Sequence, residues 1–468
     1  MLLDFVDALD RIVVEPHGFV LLRHGCMIAK GWWSPYAENL PHMLYSLTKS
    51  FVSSAVGLAV SEGRFSIDDP VASFFPGKLP RRVNENLRAM RVRHLLTMST
   101  GHATDPTPSA ITRRDGDWVK GFFAAPATLA PGTSFLYNSA ASHVLAALVQ
   151  KVTGQTLVDY LTPRLFSPLG ITPASWETDP HGINTGGWGL MLRTAEIARF
   201  GQLLLQKGAW NGQQVLPEAW IMEATSRQIS NRGQDSSEPE HDWNQGYGFQ
   251  FWRCRHGVYR GDGAFGQFCI VFPEQDAVLA VNSGVGEMFT VLNVVWDKLL
   301  PALCPSAAPE DPRAEEALCA RVSQLALQVP SAAPVSPLAA QISGRSYEME
   351  PNEMGIRALG VTAGPRGCTL SIRERKGHKS AECAYEGWHL GESSVLGPTS
   401  QPMAGHAAWV QPDTLRLTLR RRLTPFVVTV DLAFKDDQVV LNARMNVNFG
   451  PTELPPARGT ATPARKGR

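Results

Sequence analysis

Apolar positions along the first 60 residues follow two different periods. From Gly18 to Trp33 the chain reads Phe19-Val20-Leu21-Leu22, then Arg23-His24-Gly25, then Met27-Ile28-Ala29 and Trp32-Trp33. Two short apolar runs flanking a polar, glycine-containing tripeptide predict a β-hairpin. From Ser46 to about Glu62 the period changes. Phe51, Ala55, Leu58 and Ala59 recur at helical spacing, which predicts a helix with one apolar face and Gly63 as its stop. Residues from about 65 to 245 read as short helices broken by Pro and Gly. The clearest, Thr194 to Lys207, carries Ile197, Phe200 and Leu204 on one stripe, with Thr194 as the expected N-cap and Gly208 at the C-terminus. A further helix, Ala141 to Val152, follows Tyr137-Asn138-Ser139. Strand signals return at Gly246–Trp252, Gln267–Phe272 and Ala277–Val281, with turn residues between them, as in an antiparallel meander. A helix from Met288 to Leu300 closes this unit.

The simplest closed arrangement pairs the N-terminal hairpin with the later meander in one antiparallel sheet, covered by the terminal helices, with the middle segment as a helical subdomain. The expected fold class is therefore α/β in the α+β sense, over residues 1–303, with the helical subdomain at about 65–245. Residues 304–340 are rich in Pro and Ala and read as a linker with one short helix, about Asp311 to Leu327. Residues 341–450 show strand runs such as Thr369–Arg373 and Phe426–Val430 and no helical period, which predicts a C-terminal all-β domain. The Pro, Gly, Ala and Arg content of 451–468 predicts a disordered tail.

Composition narrows the function classes. The 468 residues are 44% hydrophobic and 19% charged, enough for a large core. Lys plus Arg is 44 against 43 for Asp plus Glu, a net charge of +1, so neither nucleic acid nor an anionic membrane is an expected partner. Seven cysteines without CxxC spacing argue against a disulfide framework or a zinc knuckle. The N-terminus carries Asp4 and Asp7 where an export signal would carry positive charge, and no run of 18 apolar residues occurs. The expectation is a cytoplasmic protein without a membrane segment.

Three segments are able to carry chemistry. In Ser46-Leu47-Thr48-Lys49 the serine and lysine are one helical turn apart. Lys49 is the only lysine of the chain with a serine three residues before it. A serine hydroxyl needs a base within hydrogen-bond reach, and burial can lower a lysine pKa from ~10.4 toward neutrality. The ordinary alternative is a Ser-capped amphipathic helix with an exposed lysine. Tyr137, just ahead of a helix, could be held in a cleft, with Lys49 as the cation that a phenolate would need. The alternative is a tyrosine packed at a domain edge, with Ser139 capping the helix. Gly261-Asp262-Gly263-Ala264-Phe265-Gly266 formally matches GxGxxG, but a strand rather than a helix follows it, so the dinucleotide reading is rejected. Its glycines suit a strand edge whose N–H groups complete an oxyanion hole, or else a plain hairpin turn. GxSxG and HExxH are absent from the sequence. His42, His102 and His181 lie in loops near these motifs and are expected at the surface or behind the reacting groups.

Taken together and in this order, the motifs resemble the serine β-lactamase and penicillin-binding-protein-like superfamily, and most of all the class C β-lactamase-like serine hydrolases. Met43–Phe51 resembles the nucleophile segment. Arg93–Gly101 resembles the family's leucine-rich helix ending in a Ser/Thr-Gly turn. Gly186-Gly187-Trp188-Gly189-Leu190, followed by Thr194–Gly208, resembles its cleft loop and helix. The resemblance covers about residues 18–300. It implies Ser46 as the acylated nucleophile, Lys49 and Tyr137 sharing the base role, and Ser139, at the third position of the Tyr-x-Ser motif, in proton relay. Where the family carries Lys-Thr-Gly or His-x-Gly, this chain has neither. Asp262 is the remnant at that place, assigned to relay or substrate contact, and the backbone N–H groups of Ser46, Gly263 and Ala264 form the oxyanion hole.

The expected activity is a cofactor-free and metal-free serine hydrolase acting through an acyl-enzyme. Its substrate would be a small ester, lactam or amide, and the missing strand cation favours an ester over a carboxylate-bearing β-lactam or D-Ala-D-Ala peptide. A β-lactamase or D-amino-acid peptidase or transpeptidase on the same site, and a non-catalytic penicillin-binding-like sensor, are the alternatives. The sequence leaves the oligomeric state open.

Overall fold

The structure is a computed structural model that describes residues 1–171, 175–232, 241–304, 310–329, 336–375, 377–395, 397 and 399–462. Its central sheet has six antiparallel strands in the order Cys26–Trp32, Pro16–Arg23, Ala277–Ser283, Gln267–Phe272, Tyr259–Gly263 and Trp252–Arg253. The N-terminal hairpin thus lies beside the meander, as expected, with Phe19 opposite Val281. His24 and Gly25 both take positive φ, 49° and 73°, forming a tight turn whose twist suits the paired strands.

Both faces of this sheet are covered. Phe19, Leu21, Phe268, Ile270 and Leu279 pack with Phe5, Leu9, Val291 and Leu292 of the terminal helices. Val20, Val271, Val278 and Ala280 on the other face pack with Ile197 and Phe200 of the Thr194–Leu205 helix. Strands buried on both sides read as near-continuous apolar runs. The sequence pattern does not announce the Leu2–Ile12 helix, although Phe5, Val6 and Leu9 form its buried stripe.

Three local expectations are corrected. Gly246–Phe251 is irregular, and only Trp252–Arg253 joins the sheet. The cause is Gln250. Its φ is 66°, and its buried amide is committed to the Leu95 and Leu96 carbonyls and to the Ser142 hydroxyl, which pulls the backbone off the ladder. Thr194 is not the cap of its helix. Arg193 is, and its N–H donates to the Glu196 carboxylate at 2.8 Å, while the Thr194 hydroxyl donates to Asn282 on the sheet, also at 2.8 Å. The helix after Ser46 is buried all round rather than on one face, Thr48 through Ala59, because it is the central helix between the sheet and the helical middle segment.

The predicted helix near 311–327 is Pro312–Ser323, capped by the Asp311 carboxylate. Beyond it, ten strands from Ser346–Met349 to Ala457–Ala461 form one sheet, and Gly377–Ala384 also pairs with Gln401–Gln411, which closes the sheet into a barrel around Tyr347, Leu370, Leu417, Leu432 and Leu441. The expectation of a disordered tail from 451 is corrected over most of its length. Ala457–Ala461 is a barrel strand bonded to both Ser346–Met349 and Gln438–Met445. Ladder bonds come from backbone, and the small side chains are what fit there: a Cβ on Gly459 would lie 2.5 Å from the Met349 sulfur. Residues 463–468 of that tail lie outside the described residues.

The barrel docks on the first unit through a buried Arg420–Glu15 ion pair. Three further bonds join the units: Met43 N–H to the Leu423 carbonyl (2.9 Å), Arg422 Nε to the Pro35 carbonyl (2.6 Å) and Asn446 Nδ2 to the Gly284 carbonyl (2.8 Å). Among the described residues no helix is long and apolar enough to cross a membrane.

Candidate active site

Ser46 lies in a single 3₁₀ turn, Tyr45–Leu47, that leads directly into the Thr48–Ser61 helix. The preceding Tyr45 has φ 47°, a conformation that a non-glycine residue holds only when packing over-determines it. The packing is visible: the Tyr45 ring meets Phe265, Phe426 and Phe449 edge-on, at 5.5, 6.3 and 5.6 Å. Being at a helix N-terminus, Ser46 sits among amides without intrahelical acceptors and at the positive end of the dipole.

One turn on, Lys49 is 1% exposed. Its Nζ lies 2.8 Å from Ser46 Oγ, 3.0 Å from Ser139 Oγ and 2.7 Å from the Gly187 carbonyl oxygen. Burial pulls its pKa down to about 7, against the opposing pull of the Asp262 and Asp105 carboxylates. The three partners are not equivalent. A carbonyl can only accept, so Gly187 fixes one N–H. The two hydroxyls can donate or accept, so once the amine is neutral its lone pair can take the Ser46 proton while Ser139 accepts an N–H.

Ser139 is free for this because Asn138 caps the following helix, accepting from the Ala141 N–H at 2.8 Å. The alternative in which Ser139 caps the helix is therefore replaced by a cap one residue earlier. Tyr137 lies with its ring centroid 4.8 Å from Lys49 Nζ, and its hydroxyl is near enough to the Ser46 side chain to bear on its proton affinity. Burial, with Asp262 adding to it, drives this phenol well above its ordinary range. A phenol held neutral in this way can donate a hydrogen bond to a neighbouring oxygen.

The Gly186-Gly187 pair is the part that residue types alone could not assign. A Cβ on Gly186 would collide with the Ser142 carbonyl, and one on Gly187 would sit 2.6 Å from Ser139 Cβ. The two glycines thus let the loop press onto the helix and deliver a carbonyl to Lys49. His143 and Asp179, a buried pair at 3.1 Å, anchor the same loop, with the Gly186 N–H directed at His143. Burial alone would raise the Asp179 carboxyl; His143 and the amides of Ile183 and His181 hold it below its usual range. Neither residue was found from the sequence, where only the Gly-Gly doublet gave a signal. Gly187→Ala is expected to destabilise the protein by about 1–3 kcal/mol through overpacking and to slow turnover as the carbonyl leaves Lys49. Urea unfolding with initial-rate kinetics checks this, and full activity would dissociate the loop from the amine.

Gly263 ends its strand against the serine turn: a Cβ there would collide with the Leu44 carbonyl and lie 3.1 Å from the Ser46 nitrogen. Ala264 follows in the hairpin turn, beside Phe265 at φ 68°. Asp262, by contrast, is buried and committed to Arg260 Nε at 2.8 Å, with the Trp252 indole beside it. It acts on Lys49 through space. Arg260 itself is 0% exposed and lies over the rings of Trp243 and Trp252 at 4.3 and 5.7 Å. His42 and His102 are buried rather than at the surface, His42 against His17 (3.0 Å) and His102 against Thr100 (2.8 Å), and His181 is exposed. Among the described residues no three or more His, Cys, Asp or Glu side chains are grouped to hold a metal ion.

Comparison with known proteins adds a family match. The family model described as Beta-lactamase matches residues 12–288. The 6-aminohexanoate-dimer hydrolase of Paenarthrobacter ureafaciens is 27% identical over 281 residues, 56% of this chain and 70% of that protein. Esterase EstB of Burkholderia gladioli is 29% identical over 175 residues, 34% of this chain and 44% of that protein. The crystal structure of SurE, 17% identical, aligns over 90% of this chain and 96% of its own with a TM-score of 0.51, a likeness of fold that includes the barrel.

Proposed function

The chain belongs to the β-lactamase family of serine hydrolases, and from that premise we propose that it is an esterase acting through an acyl-enzyme on Ser46. The observation that carries the reading is the buried amine of Lys49, held between Ser46, Ser139 and the Gly187 carbonyl, with burial lowering its pKa to about 7. In this mechanism Ser46 Oγ attacks the ester carbonyl and its proton passes to Lys49. The backbone N–H groups of Ser46 and of the Gly263–Ala264 strand end hold the oxyanion, each such donor contributing roughly 2.7–4 kcal/mol. Protonated Lys49, through Ser139 or Tyr137 as relay, delivers that proton to the departing alkoxide and is left neutral. Water then attacks the acyl-Ser46 ester with Lys49 again as base, releasing the acid and free serine.

An ester is favoured over a β-lactam because the strand lacks the family's cation, and its Arg260 is engaged by Asp262 and the tryptophans rather than offered to a substrate carboxylate. The relatives named 6-aminohexanoate-dimer hydrolase and esterase are in keeping with acyl transfer to water. Incubation with p-nitrophenyl acetate followed by peptide mass spectrometry is expected to show acetylation at Ser46, alongside steady release of p-nitrophenol. Faster acylation by a fluorescent penicillin than by the ester would favour the β-lactam reading, and an adduct on another residue would remove this mechanism.

A further inference from the structure

The barrel has a cavity of about 660 Å³ at one end, lined by Ile356, Ile372, Val428, Met445 and Leu454. That volume is in the range of sites that enclose a small organic molecule. The end is identifiable from the register. Ile356 pairs with Glu374 at the end of one hairpin, Met403 with Arg421, and Val428 with Met445, so the lining comes from the strand ends next to the 421–427 and 445–450 connections. Those connections touch the first unit at the serine turn. Arg421, also in the cavity wall, donates its N–H to the Phe426 carbonyl at 3.1 Å. The Phe426 ring in turn lies against Tyr45, the residue before Ser46, and against Phe265, 5.8 Å away.

A second observation is independent of the cavity. Phe449 is 73% exposed although its ring lies 4.8 Å from Phe265 and 5.6 Å from Tyr45. A solvated phenylalanine against the residue before Ser46 gains from being covered by a ligand. The charged side chains of the wall do not ask for an anion. Glu374 and Lys379 pair with each other at 2.8 Å, and Arg421 donates to the Gln401 side-chain oxygen.

We propose that the mouth of the barrel and the Phe449 collar bind a linear apolar chain of the ester whose carbonyl reacts at Ser46, so that both units contribute to one substrate site. The inference rests on Ser46 being the nucleophile. The occupant is an unbranched alkyl chain, carried on either the acyl or the alcohol side.

The test uses the full chain with N-phenyl-1-naphthylamine as a neutral apolar probe, and two ester series: p-nitrophenyl acetate to dodecanoate, and methyl to dodecyl acetate. Wild type and Ser46→Ala are expected to bind the probe equally. Met445→Trp and Ile372→Trp, which fill the cavity at separate points, are expected to weaken probe binding at least ~10-fold. The kcat/KM ratio of the longest to the shortest ester is expected to fall by a similar factor in one series, and which series responds identifies the side that carries the chain. Circular dichroism and thermal melting verify folding of both variants. No probe binding by wild type, or an unchanged chain-length ratio in a folded filled variant, overturns the proposal. Probe binding with no ester hydrolysis by wild type overturns the esterase reading and the substrate role together. Ester hydrolysis without probe binding overturns the barrel site alone.

Discussion

Ser46→Ala is expected to lower kcat/KM for p-nitrophenyl acetate by on the order of 10⁴–10⁶-fold, the loss typical of removing a serine nucleophile. The substitution deletes one oxygen at a half-buried position in the turn before the central helix. It leaves the backbone amides that would hold the oxyanion, so the residue of activity should reflect those donors and substrate binding alone. Stability should barely move. The deleted hydroxyl bonds Lys49, which keeps Tyr137, Ser139 and Gly187 as neighbours. Stopped-flow and steady-state rates with a melting curve provide the measurement. A loss below about tenfold in a folded variant would mean that Ser46 is not the group acylated.

Lys49→Met is expected to cost about 10²–10⁴-fold in kcat/KM, the usual contribution of a positioned general base. Methionine fills a similar volume without an ionisable group, so the comparison isolates the proton acceptor. The pH profile is the sharper readout. Because burial brings Lys49 to about 7, the wild-type rate should climb tenfold per pH unit below that value and level off above it, the amine being competent only when deprotonated. Lys49→Met should lose that acid limb. Lys49→Arg keeps the charge but cannot deprotonate, and should be no better than methionine. Full activity of the arginine variant would show that a fixed positive charge, not a base, is what Ser46 requires. An unchanged acid limb in Lys49→Met would assign the titration to another group.

The two units differ in how far the chain betrays them. Helices and paired strands of the first unit were legible wherever one element buries a continuous apolar set, as in the hairpin and the Gln267–Phe272 strand. Reading failed where polar commitments override the pattern. Gly246–Trp252 alternates like a strand, but Gln250 turns inward to three partners, and the backbone follows the amide. It failed again at Ala457–Ala461, whose composition suggests disorder, because a strand flanked on both sides in a barrel wall is held by ladder bonds that any non-proline residue can make.

The sequence by itself determined the chemistry on offer: a serine and a lysine one helical turn apart, a tyrosine ahead of a second helix, and a glycine-rich strand end. Local periodicity is enough for that, since 3.6 residues per turn place Ser46 and Lys49 on one face without reference to the rest of the chain. The state of those groups was decided only by the tertiary structure. Desolvation depends on what covers a side chain, so the lowered proton affinity of Lys49 and the raised one of Tyr137 arise only once distant segments bury them. The Gly187 carbonyl that orients the amine, and the aromatic contacts from the barrel that hold Tyr45 at positive φ, come from 138 or more residues away in the chain, and a backbone oxygen carries no side-chain signature by which to find it.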